Sequence, residues 1–208
     1  MNLIIFGATG TVGRQLLMQA LASGHTVTAF TRDSGKLNDI SNPKLRIIEG
    51  DVLDQQQVLD SLKDQQAVLC ALGAGRKGIV RSQGTKNILA AMEKAGIGRF
   101  ICQTTLGAGD SKGNLNFFWK NIMFGWFLKD AYLDHELQEE HILQSKVDWT
   151  IVRPAAFTNG NVTGNYRFGF PATEKALKLK ISRADVADFM LKQLVTDQYS
   201  RKAVGLSY

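Results

Sequence analysis

The opening residues constrain the chain most. They read Leu3-Ile4-Ile5-Phe6-Gly7-Ala8-Thr9-Gly10-Thr11-Val12-Gly13. Four apolar residues of strand type run straight into glycines spaced G-x-x-G-x-x-G. Behind them Val12, Leu16, Leu17, Ala20 and Leu21 fall on one helical face, and Gly24 is placed to close that helix in the left-handed conformation. A strand, a glycine turn and a helix in this order start a βαβ unit. Gly7 permits the tight turn, Gly10 lets a ligand approach the backbone, and Gly13 lets the helix pack closely on the strand. The first N–H groups of the helix have no partner inside it, so they favour an anion such as a pyrophosphate. The spacing is one residue wider than the basic dinucleotide fingerprint, but its place between strand and helix is the required context. No G-x-x-x-x-G-K-[ST] occurs, which excludes a P-loop.

The same alternation continues along the chain. Apolar runs at 3–6, 26–30, 45–48, 67–72, 100–102 and 150–152 are continuous rather than alternating, as in strands covered on both faces. Between them lie helical stripes. Asp54 caps one carrying Val58, Leu59 and Leu62, and Ile88, Met92 and Ala95 form another that Gly96 ends. Ser182-Arg183-Ala184-Asp185 reads as a capping box ahead of Val186, Ala187, Met190, Leu191 and Leu194. The pattern predicts an α/β fold, a doubly wound parallel sheet with helices on both faces. With no repeat and no linker, residues 1–208 are expected to form a single Rossmann domain. Its irregular stretches, 107–113 and 157–180, should follow strand ends. The substrate pocket is therefore expected from loops around 105–130 and 156–180.

Composition narrows the partners. Apolar residues make up 44% of the 208, and charged residues 21%, which excludes a disordered chain. Cys70 and Cys102 both lie in apolar runs and are expected as buried, reduced thiols of a cytoplasmic protein. The start of the chain has no basic, apolar leader pattern. The longest aromatic stretch, 115–128, is broken by Asn116, Lys120, Asn121 and Gly125. It falls short of the ~20 apolar residues of a membrane span. The net charge of +6 is scattered, so it suits a small anionic ligand and gives no dense nucleic-acid patch.

The end of the second strand bears on the choice of dinucleotide. It reads Ala29-Phe30-Thr31-Arg32-Asp33-Ser34-Gly35-Lys36. An acidic residue here would bind the ribose 2′-hydroxyl of NAD. Arg32 instead suits the 2′-phosphate of NADP, because a guanidinium pairs bidentately with phosphate. A shift of one residue would bring the Asp33 carboxylate to the ribose, so Asp33 marks the NAD alternative.

Several short motifs then fall into a known order: Gly7–Gly13, Thr31-Arg32-Asp33, Gly50-Asp51-Val52, Ala71-Leu72-Gly73, Gln103-Thr104-Thr105 and Val152-Arg153-Pro154. Over essentially the whole chain this order resembles the atypical short-chain dehydrogenase/reductases. The likeness is to the biliverdin-IXβ reductase and NADPH-dependent flavin reductase type, with NmrA-like redox sensors as cousins. The resemblance implies that Gly7, Thr9, Gly10, Thr11, Val12 and Gly13 hold the pyrophosphate and that Arg32 meets the 2′-phosphate. It implies that Asp51 and Val52 flank the adenine. Leu72, Gly73 and Arg76 would lie along the ribose and nicotinamide edge, and Thr104 and Thr105 beside the nicotinamide. Pro154, Ala155, Ala156 and Phe157 would run under the carboxamide. Thr105 stands where the family has serine, which keeps a hydroxyl. Ala156 stands where the human-type enzyme carries histidine, which alters the pocket wall.

What remains is the chemistry. Carbonyl-reducing relatives pair Tyr-x-x-x-Lys, the lysine lowering the tyrosine pKa. No tyrosine here has a lysine four residues on. A flavin or linear tetrapyrrole needs less, since the cofactor supplies the hydride and the protein stacks the acceptor against it. Thr105 is the candidate catalytic residue, orienting the acceptor or a water. Phe117, Phe118, Trp119, Phe124, Trp126 and Phe127 should lie near the substrate mouth. Most of these rings are expected to pack on the sheet or against another subunit. Stacking on a planar ligand and contact with a membrane surface, with Lys120 and Lys129 on the rim, are the alternatives. His135 and His141 are six apart, not the four that places a metal pair on one helical face, so no metal site is expected. His135 is read as a surface histidine, with a pocket-facing one as the alternative, and the run Glu136 to Glu140 as a solvated face. No G-x-S-x-G occurs for a hydrolase. The sequence reading is thus an NADPH-dependent oxidoreductase, monomer or weak homodimer, acting on a planar conjugated small molecule. Its rivals are a non-catalytic NADP(H) sensor and a reductase of quinones or nucleotide-sugars.

Overall fold

Strand β1 (Asn2–Phe6) sits at the centre of an eight-stranded sheet in the computed structural model, which describes residues 1–75 and 78–208. Helix α1 (Thr11–Ala22) leads from it to β2 (Thr26–Thr31), which pairs parallel with β1 in the register Leu3 to Val27. β3 (Leu45–Glu49) lies outside β2 at the edge, and α2 (Gln55–Ser61) follows. The chain then crosses to the other side of β1 and forms β4 (Ala67–Cys70). Outward from there come α3 (Val80–Ala95), β5 (Arg99–Gln103), α4 (Lys129–Gln144) and β6 (Asp148–Pro154). Strand order therefore reverses between β1 and β4, and a crevice opens beyond the strand ends at that point.

The continuous apolar runs are explained by burial on both faces. Odd positions Leu3, Ile5, Leu69 and Ile101 point to one side, where they meet Leu16 and Leu17 of α1. Even positions Ile4, Phe6, Val68, Cys70, Phe100 and Cys102 meet Val58 of α2, Ile88 and Met92 of α3 and Ile142 of α4. A fully buried Leu, Ile or Phe contributes ~1.5–3 kcal/mol, so these two layers dominate the stability. The edge strand β3 is only half covered. Caps fall where the residue types demand them. Asp54 accepts from the N–H groups of Gln56 and Gln57 at 2.9 and 3.0 Å, and Gly96 ends α3 at φ 71°.

The C-terminal part carries more strand than its sequence advertises. β7 (Ala156–Thr158) pairs parallel with β9 (Lys180–Ser182), apart from the main sheet. The short β8 (Arg167–Phe168) runs antiparallel to β10 (Lys202–Ser207), which extends the main sheet beside β6. Between β9 and β10 lies α5 (Arg183–Lys192), whose Ser182 cap accepts from Asp185 N at 3.0 Å, packing Val186 and Met190 against the layer of α1. β10 is interrupted by Gly205 and opens on Lys202, so it lacks the apolar run that marks its neighbours. β4 stops at Cys70, two residues short of the predicted 72, because the chain turns there to pass beside Gly7.

Candidate functional site

The glycine turn owes its shape to contacts that leave no room for a side chain. Gly7 lies at φ +84°, and a Cβ on it would stand 2.4 Å from the carbonyl oxygen of Ala71. A Cβ on Gly13 would stand 2.0 Å from the carbonyl oxygen of Gly7. Helix and turn are therefore in backbone contact. The first helical hydrogen bond runs from Arg14 N to Gly10 O at 2.8 Å, so the N–H groups of Thr11, Val12 and Gly13 precede the ladder. No side chain caps this end, and no acidic residue lies in its first turn. The helix dipole there is uncompensated.

A groove runs across this turn. Its smaller part, about 150 Å³, is lined by Gly7, Thr9, Gly10, Phe30, Thr31, Arg32, Gly50, Val52, Leu72, Gly73 and Val80. Arg32 is exposed at its mouth. Asp33 is engaged elsewhere: its Oδ1 accepts from Gly35 N at 3.1 Å, and its Oδ2 lies 3.5 Å from Lys36 Nζ. Asp51 is turned to local work too, accepting from Leu53 N at 3.0 Å, and lines neither part. Arg76 lies outside the described residues.

Past Gly10, Leu72 and Gly73 the groove widens into a cavity of about 460 Å³. Thr11, Val12, Thr104, Thr105, Pro154, Ala155, Ala156 and Phe157 all line it, so the structure brings together most of the residues singled out in the sequence. Leu106, Leu115, Trp119, Phe124, Leu128 and Leu179 make the far wall apolar. Two buried polar atoms on cavity residues have no partner among the described residues: Gln103 Oε1 and Arg183 Nε. Such atoms cost free energy unless a ligand or water satisfies them.

Behind the cavity wall, Thr104 is tied to a buried ion pair whose acid the sequence reading placed in solvent. Glu139 is 3% exposed and lies under Arg153 in a bidentate pair, at 2.9 Å to Nε and 2.6 Å to Nη2. It also accepts from Thr104 Oγ1 at 2.6 Å. Asp110 binds the remaining arm of Arg153, whose hydrogen bond and charge hold the Asp110 carboxyl below its ordinary pKa. The solvated face expected for Glu136 to Glu140 is thus corrected at Glu139. A helix has two faces, and the inward one carries the counter-ion that Arg153 needs where it ends β6.

His135 is likewise buried, at 9% exposure, and lines the cavity, correcting its reading as a surface residue. Its tautomer follows from its neighbours. Gln138 donates its amide N–H groups to Thr85 Oγ1 at 2.9 Å and Cys102 Sγ at 3.3 Å. Gln138 Oε1 is left to accept, at 3.0 Å, from His135 Nδ1. The ring then carries its proton on Nδ1, and Nε2 is a bare acceptor. Burial, together with the nearby Arg81 charge, lowers the His135 pKa to about 4, so the ring is neutral at pH 7. Arg81 pairs with Asp134 at 3.3 Å, and Ser82 Oγ donates to the same carboxylate at 2.6 Å.

Thr105 is half-buried on the cavity wall, and its hydroxyl donates a long 3.4 Å hydrogen bond to Leu106 O. Tyr132 donates to Gly107 O at 3.1 Å, and burial and Glu136 push its pKa upward, so it stays protonated. The aromatic segment forms a wide π-type helix, Phe118–Phe127. Of the six rings, Trp119 and Phe124 line the cavity, whereas Phe117, Phe118, Trp126 and Phe127 are exposed and do not pack on the sheet, the first of the two packings expected for most of them. Among the described residues no cluster of His, Cys, Asp and Glu could hold a metal.

Residues 7–197 match the family model for NAD(P)H-binding proteins. The chain belongs to this family. The UPF0659 protein YMR090W of Saccharomyces cerevisiae is 31% identical over 94% of this chain and 87% of its own length. Among solved structures, ChuY, an anaerobillin reductase from Escherichia coli O157:H7, superposes with a TM-score of 0.85 at 24% identity, covering 100% of this chain and 97% of ChuY. A short-chain dehydrogenase/reductase from Veillonella parvula, solved with NADP, gives 0.84 at 18%, covering 100% and 94%. These structural likenesses show the fold. The family shows an NAD(P)H-binding protein.

Proposed function

We propose that the protein is an NADPH-dependent oxidoreductase that reduces a planar conjugated acceptor, a flavin such as FMN or a linear tetrapyrrole such as biliverdin. One observation carries this reading: the groove over the glycine turn opens without interruption into an apolar, aromatic-walled cavity. Both parts share Gly10, Leu72 and Gly73. The N–H groups of Thr11, Val12 and Gly13 would hold the pyrophosphate, helped by Thr9, and Arg32 the 2′-phosphate. The commitment of Asp33 to Gly35 and Lys36 supports NADP over NAD. Gln103 Oε1 suits the amide N–H of a carboxamide, beside Thr104, Pro154, Ala155 and Ala156.

When bound, NADPH supplies a hydride. The chain contributes placement and a proton path. Trp119, Phe124 and Phe157 offer faces for a flat acceptor. The largely apolar wall lowers the local polarity, which strengthens each polar contact inside. Tyr132 has no lysine to lower its pKa, so it is no base for alcohol oxidation. The proton that accompanies the hydride comes from water, oriented by the Thr105 hydroxyl. His135 Nε2 accepts a hydrogen bond from an N–H or O–H of the bound molecules and thereby fixes their orientation. The buried free thiols fit a reducing compartment, the cytoplasm.

The test is the NADPH absorbance band, followed after adding FMN, biliverdin or a quinone to the purified protein. Oxidation with FMN or biliverdin supports the reading. Oxidation with quinones alone changes the acceptor. NADPH binding without oxidation by any of them overturns the enzymatic reading in favour of a sensor.

A further inference from the structure

The exposed face of the Phe118–Phe127 helix has no role in the chemistry above. Phe117 is 75% exposed and Trp126 80%, with Phe118 and Ile122 about half exposed beside them. Four large apolar side chains within ten residues make a patch that a water-soluble surface normally avoids. The charges within the segment that carries it are of one sign. Residues 111–129 contain Lys112, Lys120 and Lys129 and no Asp or Glu. Of the flanking acids, Asp110 shares Arg153 with Glu139, and Asp130 lies in the first turn of the next helix. The chain as a whole carries +6.

We propose that this face is a docking surface for an anionic lipid bilayer. An apolar helical face bearing Trp and Phe, rimmed by lysines, lies in the headgroup region with its rings in the acyl boundary. Lysines near an anionic leaflet add attraction that salt screens. The helix does not cross: among the described residues no helix is long and apolar enough to span a membrane. A second copy of the chain would need complementary charge on a facing patch, whereas the lysines here repel their own image. The opposite side of the same helix presents Trp119 and Phe124 to the cavity, so a docked molecule holds its cavity against the lipid. The inference stands on exposure and charge and does not depend on which nucleotide or acceptor is bound.

The experiment uses the full chain and sucrose-loaded vesicles of phosphatidylcholine alone or with about 30% phosphatidylglycerol. The protein is expected to sediment with the anionic vesicles, at least about tenfold more tightly than with the neutral ones, and to be released by 0.5 M salt. The emission of Trp126 should shift to the blue on binding. A Phe117→Ser/Trp126→Ser variant is expected to lose vesicle binding about tenfold or more. It should keep wild-type NADPH affinity, since neither side chain lines the groove. Lys120→Gln/Lys129→Gln should lose the preference for anionic lipid while retaining the fold. Equal sedimentation with both vesicle types, or none with either, overturns the proposal. So does a concentration-dependent dimer, seen by sedimentation velocity, that the Phe117/Trp126 variant abolishes without any vesicle binding by the wild type.

Discussion

Replacing Gly13 with alanine tests the join between fold and site. The new Cβ would stand 2.0 Å from Gly7 O, 2.7 Å from Gly7 C and 3.0 Å from Ala8 Cα, all backbone atoms. No side chain can rotate away, so the start of α1 must retreat by more than about 1 Å to restore an ordinary contact. Overpacking of this kind costs ~1–3 kcal/mol, and a backbone collision belongs near the upper end. For a chain of this size each kcal/mol lowers Tm by ~2–4 °C, which predicts a fall of ~6–12 °C. The retreat also moves the N–H groups of Thr11 and Val12 away from their anion. A misplacement of that size costs ~100-fold in function, so NADPH affinity should drop by about that factor. Gly98→Ala is the control, because a Cβ there meets nothing within 4 Å. Differential scanning calorimetry and fluorescence titration with NADPH provide the two readouts. If Gly13→Ala melts with the wild type and binds NADPH equally well, the argument from backbone contact is refuted.

Three further outcomes are expected. Glu139→Gln removes the counter-charge of the buried Arg153 and leaves it only Asp110, so chemical denaturation should show a loss of about 3 kcal/mol. Wild-type stability near its neutral-pH value in that variant would contradict the buried pair. His135 has a folded pKa of about 4 against 6.5 when unfolded, so below pH 6.5 the unfolded chain takes up a proton that the folded chain refuses. Stability is therefore lost as pH falls from 6.5 towards 4. At ~1.4 kcal/mol per pKa unit, wild type should lose about 3 kcal/mol more than His135→Asn between pH 7 and pH 4, and parallel curves would refute the assignment. Thr105→Val should lower turnover by ~10-fold or more with little change in NADPH affinity, and unchanged turnover would dispose of a role for its hydroxyl.

The sheet was legible because central strands buried on both faces are mostly apolar: β1 carries residues 3–6, β4 Ala67–Cys70 and β5 residues 100–102 as unbroken runs, and the threonines of β2 and β6 are β-branched residues that a strand accepts. The glycine turn was legible because backbone contact at Gly7 and Gly13 admits no other residue. β10 escaped notice since Lys202, Ala203 and Gly205 give it no such run. The ion pair behind the cavity wall was the harder part. Arg153 stands fourteen residues from Glu139 in the chain and binds it across two elements, a pairing that periodicity does not record. A cue existed: an arginine ending an apolar strand requires a buried acid, and α4 carries the carboxylates. His135 was misread because its helix is only weakly two-sided, with exposed Leu133 and Leu137 beside the buried Asp134 and Gln138. The π-type helix has a period that ordinary helical patterning does not detect, so which of its rings face the cavity and which face outward was not legible.

The central claim is that the turn at Gly7–Gly13 cradles a diphosphate and that Arg32 selects its phosphorylated form. Calorimetric titration of the wild type and of Arg32→Ser with NADPH and NADH tests it most directly. The account predicts that the wild type binds NADPH at least about tenfold more tightly than NADH, ~1.4 kcal/mol, and that the substitution erases the difference. Binding of neither dinucleotide, or a wild-type preference for NADH that Arg32→Ser leaves intact, would contradict it.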